Sequence, residues 1–186
     1  MAHPNQPARS QPAARSSGAR LLGVRKDAAT SLLIDDHNKV KKLFRQFTQA
    51  RQTGATAHKK QIVQQACIEL KIHTQIEEEI FYPAVRRASA DPDMIYEAVV
   101  EHASAKALIG ELEGLRPDDP MFDARFTVLS EYVLHHIKEE EAEMFPTARK
   151  TLGAALDALG EQMATRKAEL MQQAGVAHTP IHHRTH

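Results

Sequence analysis

The sequence lacks tryptophan, has a single cysteine and carries only 5% aromatic residues. No apolar run is long enough for a membrane span or for the core of a signal peptide. One thiol, Cys67, excludes an internal disulfide and a thiolate cluster, and it reads as a small buried helix residue in a reducing cytoplasm. Glycine and proline fall mostly outside the periodic segments, which favours helix. Charge of one sign is also missing, with 24 basic and 24 acidic side chains. No overall field draws such a chain to nucleic acid or to an anionic membrane, so neither is an expected partner. Histidine is what the sequence has in excess, at 11 residues, on a chain of 186 whose 42% hydrophobic content supports one domain with tails.

Residues 1–26 carry prolines, serines and scattered arginines without apolar periodicity, which predicts a disordered basic arm. Their proline density argues against the amphipathic helix of a transit peptide. A first helix is expected to open at Asp27 or Thr30 and to run to about Arg51, with Leu33, His37, Val40, Phe44 and Phe47 on one face. After Thr53-Gly54-Ala55-Thr56, a second helix aligns Ile62, Ala66, Leu70, His73, Glu77, Ile80 or Phe81, and Ala84, and Pro83 should kink or end it. Asp91-Pro92 predicts a third start, with Asp91 as cap, Pro92 as the first helical residue and Ile95, Val99, His102, Ile109 and Leu112 facing inward. The fourth helix aligns Phe126, Leu129, Val133, His136, Glu140 and Met144. A fifth amphipathic segment, residues 151–173, covers the bundle or pairs with a second copy or another protein, and residues 174–186 form a disordered His-rich tail.

The chain repeats itself. His73-Thr-Gln-Ile-Glu77 precedes Pro83 as His136-Ile-Lys-Glu-Glu140 precedes Pro146, and Asp36-His37 with Lys41 matches Glu101-His102 with Lys106. Positions four apart share a helix face, so each copy offers an imidazole and a carboxylate to one point. Four core histidines and two core glutamates would destabilise a bundle that held nothing between them, because a buried unpaired carboxylate costs several kcal/mol. A cationic centre removes the difficulty; a purely structural polar core without metal is the alternative. Six nitrogen and oxygen ligands without thiolate exceed a structural zinc site and suit two iron or manganese ions. If both glutamates bridge, each ion keeps room for a bridging oxo or hydroxo group and one open position.

This pattern, His37, then His73 with Glu77, then His102, then His136 with Glu140, resembles the hemerythrin-like HHE cation-binding domains over about residues 28–150. The resemblance implies an all-α, antiparallel up-down four-helix bundle over 27–150, here with an added C-terminal helix, and a non-haem di-iron centre. Oxygen carriers of that family have a histidine where Lys106 stands and set the last carboxylate one residue later, which would select Glu141 in place of Glu140, with Glu78 as its counterpart. Lys41, Lys106 and Tyr132 are candidates for contacts behind the ligands, and His135 falls off the stripe.

The expected metal ligands are therefore His37, His73, Glu77, His102, His136 and Glu140. The expected function is binding of, or reaction with, dioxygen, peroxide or nitric oxide in oxygen or redox sensing or stress response. The alternative is an iron-responsive or redox-responsive interaction protein without turnover.

Overall fold

A computed structural model describes residues 26–90 and 92–175, all of them helical apart from short connections. The expected basic arm through Arg25, the Asp91 cap and the tail from Val176 lie outside the described residues. Helices α1 (Ala28–Gln52), α2 (Thr56–Ile76), α4 (Asp93–Glu113) and α5 (Pro120–Glu139) form the antiparallel bundle. Short continuations, α3 (Tyr82–Ala88) and α6 (Phe145–Leu152), extend α2 and α5, and α7 (Ala155–Gln173) packs beside α1 and α2.

The starts follow from local chemistry. Asp27 caps α1 by accepting from the Thr30 backbone N–H at 2.7 Å and the Thr30 hydroxyl at 2.6 Å. Asp119 caps α5 through the Met121 N–H at 2.8 Å, with Pro120 as the first helical residue. The α4 start differs from expectation: Pro92 sits at the cap position, with φ −88° and ψ −3°, and the helix begins at Asp93.

Pro83 neither ends nor visibly breaks the second helix. A proline cannot donate to the carbonyl four residues back, and the chain answers with one wide turn. Residues Glu77–Phe81 form a π-helical turn in which the Tyr82 N–H reaches the Glu77 carbonyl, and α-helix resumes to Ala88. The repeat does the same at Glu140–Met144 before Pro146. Each extra residue advances the later side chains by about 100°. Tyr82 thereby reaches the inner face that an unbroken α-helix would give to Phe81.

Two apolar layers enclose the polar ligands. One is built on Phe44, Phe47, Phe126 and Ile109, the other on Leu33, Phe81, Phe145 and Met163. Cys67 is buried in the first layer, where burial pushes its thiol up to about 12. Val99, expected in the core, is 42% exposed, while Ala98 and Ala105 are buried. The inward stripe of α4 is Ile95, Ala98, His102, Ala105, Ile109 and Leu112, and two alanines on it let the helix approach closely without a large side chain.

The fifth helix covers α1 and α2. Its Leu156, Met163 and Leu170 are buried against the bundle, and a Cβ on Gly160 would stand 2.5 Å from the Ala28 carbonyl carbon. Glycine is what permits this backbone approach. Leu152, expected to begin the segment, closes α6, and Gly153 at φ 52° makes the turn into α7. Among the described residues no helix is long and apolar enough to cross a membrane.

Candidate metal centre

All six expected ligands point to one layer of the bundle, each 6% exposed or less. His37 and His102 come from α1 and α4, His73 and His136 from the last turns of α2 and α5, and Glu77 and Glu140 open the two π turns. The helix register alone places each His and its Glu on one face. The π turn then carries the chain past the proline without removing the carboxylate from that face.

The donor atoms fall into two overlapping groups. His37, His73, Glu77 and Glu140 form one and Glu77, His102 and His136 the other, with the atoms of each within 4.8 Å of one another. The Nε2 atoms of His37 and His73 are 3.2 Å apart, and those of His102 and His136 are 3.1 Å apart. Two ligands bound to one ion at about 2.0–2.1 Å with a near-right angle lie about 3 Å apart, so both pairs have the separation a shared ion requires. Glu77 Oε2 stands 3.2 Å from His73 Nε2 and 3.4 Å from His102 Nε2, between the pairs. Glu140 Oε2 is likewise 3.3 Å from His37 and 3.4 Å from His136.

The carboxylates supply the decisive fit. Both oxygens of Glu77 and Oε2 of Glu140 are buried without a hydrogen-bond partner. Such groups are costly in a folded interior unless a cation meets them. Burial raises the Glu77 carboxyl well above the ordinary range, and the neighbouring Glu140 raises it further. At Glu140 burial also acts upward, but the adjoining imidazoles of His37, His136 and His73 outweigh it and hold that carboxyl low. Burial depresses His73 to about 4, against an upward pull from Asp36, so its imidazole is neutral at physiological pH. A neutral imidazole with a free Nε2 lone pair is the form that binds metal.

Each ring is fixed from behind. His37 Nδ1 donates to Glu141 at 3.0 Å, His102 Nδ1 to Glu78 at 3.0 Å, His136 Nδ1 to Glu101 at 2.6 Å and His73 Nδ1, more distantly, to Asp36 at 3.5 Å. A proton held on Nδ1 leaves Nε2 facing inward. Lys41 donates to Glu141 at 2.9 Å and Lys106 to Glu78 at 2.6 Å, so both lysines hold the carboxylates that stand behind His37 and His102. Glu141 and Glu78, the alternative ligands, therefore orient histidines, while Glu140 and Glu77 occupy the centre.

Two tyrosines change places relative to expectation. Tyr132 lines the cavity beside the histidines. The hydroxyl that reaches the ligands belongs to Tyr82, which donates to Glu140 Oε1 at 2.8 Å and lies 3.1 Å from His102 Nε2. Its repeat partner is Phe145, which stacks on His37 with an interplanar angle of 8°. The sequence signal was the aromatic residue directly before each proline, readable only with the extra π residue counted. His135 is exposed and pairs with Glu139 at 3.1 Å, off the ligand face.

On the side away from the two glutamates, Val40, Leu70, Ala105, Val133 and Ile137 close a cavity of about 20 Å³ against the four rings. This is room for one water-sized molecule.

The fold and this donor set define a cation-binding helical bundle. The chain belongs to the family described as the hemerythrin HHE cation binding domain, whose profile matches residues 28–148. It is similar to the crystal structure of a hemerythrin HHE cation binding domain-containing protein of Mycobacterium kansasii, with 26% identity and a TM-score of 0.65, covering 78% of this chain and 88% of that one. A protein named DNA nickase from Nostoc sp. (strain PCC 7120 / SAG 25.82 / UTEX 2576) is 30% identical over 144 residues, which are 75% of this chain and 39% of that protein. The chain thus spans about two-fifths of that relative's length.

Proposed function

We propose that the protein is a non-haem di-iron protein whose centre binds or reacts with a small oxidant or gas, namely dioxygen, peroxide or nitric oxide. The observation that carries this reading is two buried carboxylates set between two histidine pairs, with both Glu77 oxygens and Glu140 Oε2 lacking a hydrogen-bond partner, and a cavity of about 20 Å³ beside the rings. His37, His73, Glu77 and Glu140 would hold one iron, and His102, His136 and Glu77 the other. An iron pair held there supplies up to two electrons to a small oxidant. The chain does the rest: Val40, Ala105, Val133 and Ile137 exclude water, the cavity admits only small molecules, and Glu78, Glu101, Glu141 and Asp36 keep the Nδ1 protons in place.

Metal analysis of the isolated protein, with optical spectra of the anaerobic ferrous form before and after each gas or peroxide, tests the reading. About two irons per chain and new charge-transfer absorption with one of them is the expected result. A folded chain that takes up no iron overturns it.

A regulatory reading rests on a separate contact. Lys167 of α7 pairs with Asp36, the acceptor of the His73 Nδ1–H, so the fifth helix is tied to one ligand. On this reading metal loading changes how α7 sits and what binds it, without turnover. Protease sensitivity of α7 that depends on metal, together with no consumption of oxidant, would favour it. DNA cleavage, raised by the name of the Nostoc protein, would require a phosphodiester to reach ligands that are 6% exposed or less. Their burial weighs against that chemistry at this centre, and a plasmid-nicking assay on the loaded chain tests it.

A further inference from the structure

The two halves of the bundle finish the outer side of the centre differently. In the first half Leu32, Ile76 and Ile80 pack into the apolar layer that includes Met163 of α7. The repeat places Glu97, Glu139 and Glu143 at the corresponding positions of the second half. Those three glutamates line a pocket of about 70 Å³ whose floor includes His136 and Glu140. The fifth helix packs on α1, α2, the first π turn and α6, and among the described residues none of its side chains lines this pocket.

An acidic rim by itself is ordinary solvated surface, and two further observations point to a cation. Glu140, on the pocket floor, is 1% exposed and its Oε2 forms no hydrogen bond. Glu101 and Glu139, which line the pocket, and the exposed His135 each bring one donor atom within 4.8 Å of the others, a nitrogen with two carboxylate oxygens. Glu101 also accepts the Nδ1–H of His136 at 2.6 Å, so the rim group is joined directly to an inner ligand.

We propose that this pocket is the port through which a divalent cation reaches the metal pair. The ion is held first by Glu101, His135 and Glu139, with Glu97 and Glu143 attracting it, and passes inward to Glu140 and His136. Carboxylates suit this transfer because they replace waters of hydration one at a time while keeping the ion neutralised. Clustered charge of one sign at a cleft raises the encounter rate of the opposite charge by about 10–1,000-fold. Among the described residues the first half has no counterpart, since Leu32, Ile76 and Ile80 at the corresponding positions are apolar and packed against the layer that includes α7. The inference rests on the metal-centre reading above.

Cobalt(II), whose visible absorption reports binding, serves as the probe. Metal-free wild type, the triple variant Glu97→Gln/Glu139→Gln/Glu143→Gln and the control Glu161→Gln on α7 are mixed with it anaerobically in stopped flow. The triple variant is expected to load at least about tenfold more slowly, with the final cobalt content and helical circular dichroism of wild type. Added salt should slow wild type more than the variant. Loading by the triple variant at the rate of Glu161→Gln overturns the port and leaves the centre standing. A wild type that takes up no pair of ions overturns the centre and the port together. If the triple variant fails to fold, His135→Ala and Glu143→Gln singly are expected to slow loading, and wild-type rates in both overturn the proposal.

Discussion

The first half of the bundle, α1 to α3, and the second, α4 to α6, repeat the inner His and Glu residues and the carboxylates and lysines behind them, and differ in what covers their outer sides. Inside, each supplies a His from one helix and a His with a Glu from the next, followed by a π turn and a proline. Outside, one half lies under α7 with isoleucines and the other is open and acidic. The comparison teaches which atoms are constrained by what they hold together. Ligand positions answer to one another across a few ångströms, whereas outer positions answer only to whatever packs on them. Tyr82 against Phe145 is the inner difference that reaches the centre: one half sets a hydroxyl on Glu140 where the other stacks an apolar ring on His37.

Breaking the shared ligand has the largest expected effect. Glu77 belongs to both donor groups, so Glu77→Gln should abolish loading at both positions, read by elemental analysis. Retention of a full metal pair would show that neither ion needs the Glu77 carboxylate. The same variant should leave the metal-free chain as stable or about 1–2 kcal/mol more stable, because it replaces a buried group without a partner.

Next comes the cover. Gly160→Ala forces a methyl group against the Ala28 backbone and should cost about 3 kcal/mol in thermal or urea unfolding. Hydrogen exchange should rise around Ile76 and Ile80 and stay unchanged around Glu139 and Glu143. An equal rise in both halves would show that α7 does not distinguish them.

Tyr82→Phe makes the inner halves alike. It removes a buried hydroxyl bound to Glu140 and should cost about 2 kcal/mol in the metal-free chain. It should also shift the visible spectrum of the cobalt-loaded form. An unchanged spectrum would mean that the hydroxyl does not act on the centre.

A smaller effect separates the two helix starts. Burial raises the Asp27 carboxyl, but the Thr30 hydrogen bonds and Arg149 outweigh it and leave it below the ordinary range. Its stabilisation is therefore present above about pH 4 and is lost as pH falls through the lowered folded value. Asp27→Ala should cost about 1 kcal/mol at neutral pH, shrinking toward zero in acid. Pro92, at the equivalent start of α4, makes no side-chain cap and has nothing similar to lose. Smallest of all, Val99→Thr on the exposed face of α4 should change stability by less than about 0.5 kcal/mol.

Much of the fold was legible because helical periodicity is a local property. The stripes Leu33–His37–Val40–Phe44 and Phe126–Leu129–Val133–His136 name core positions directly, and all of these residues are buried. The repeat identified the six polar residues on those stripes. Val99 was misplaced because a stripe stepping by three and four residues allows two registers. Buried alanines mark the true one less clearly than a valine marks the false one. Tyr82 was missed because a π turn adds a residue to the count, and no single side chain announces it before Pro83. Which carboxylate orients and which occupies the centre, Glu141 or Glu140, also depends on that local geometry.

By itself the sequence determined the helices, the duplicated His and Glu positions on their inner faces and the cation-binding family, since each follows from residue type and spacing along one chain. Only the tertiary structure decided what lies between elements. It set the partners of the four Nδ1 atoms, placed α7 over one half, seated Gly160 against α1 and left the pocket above Glu140 open. Those outcomes depend on distances between segments far apart in the chain, which packing fixes and no local spacing encodes.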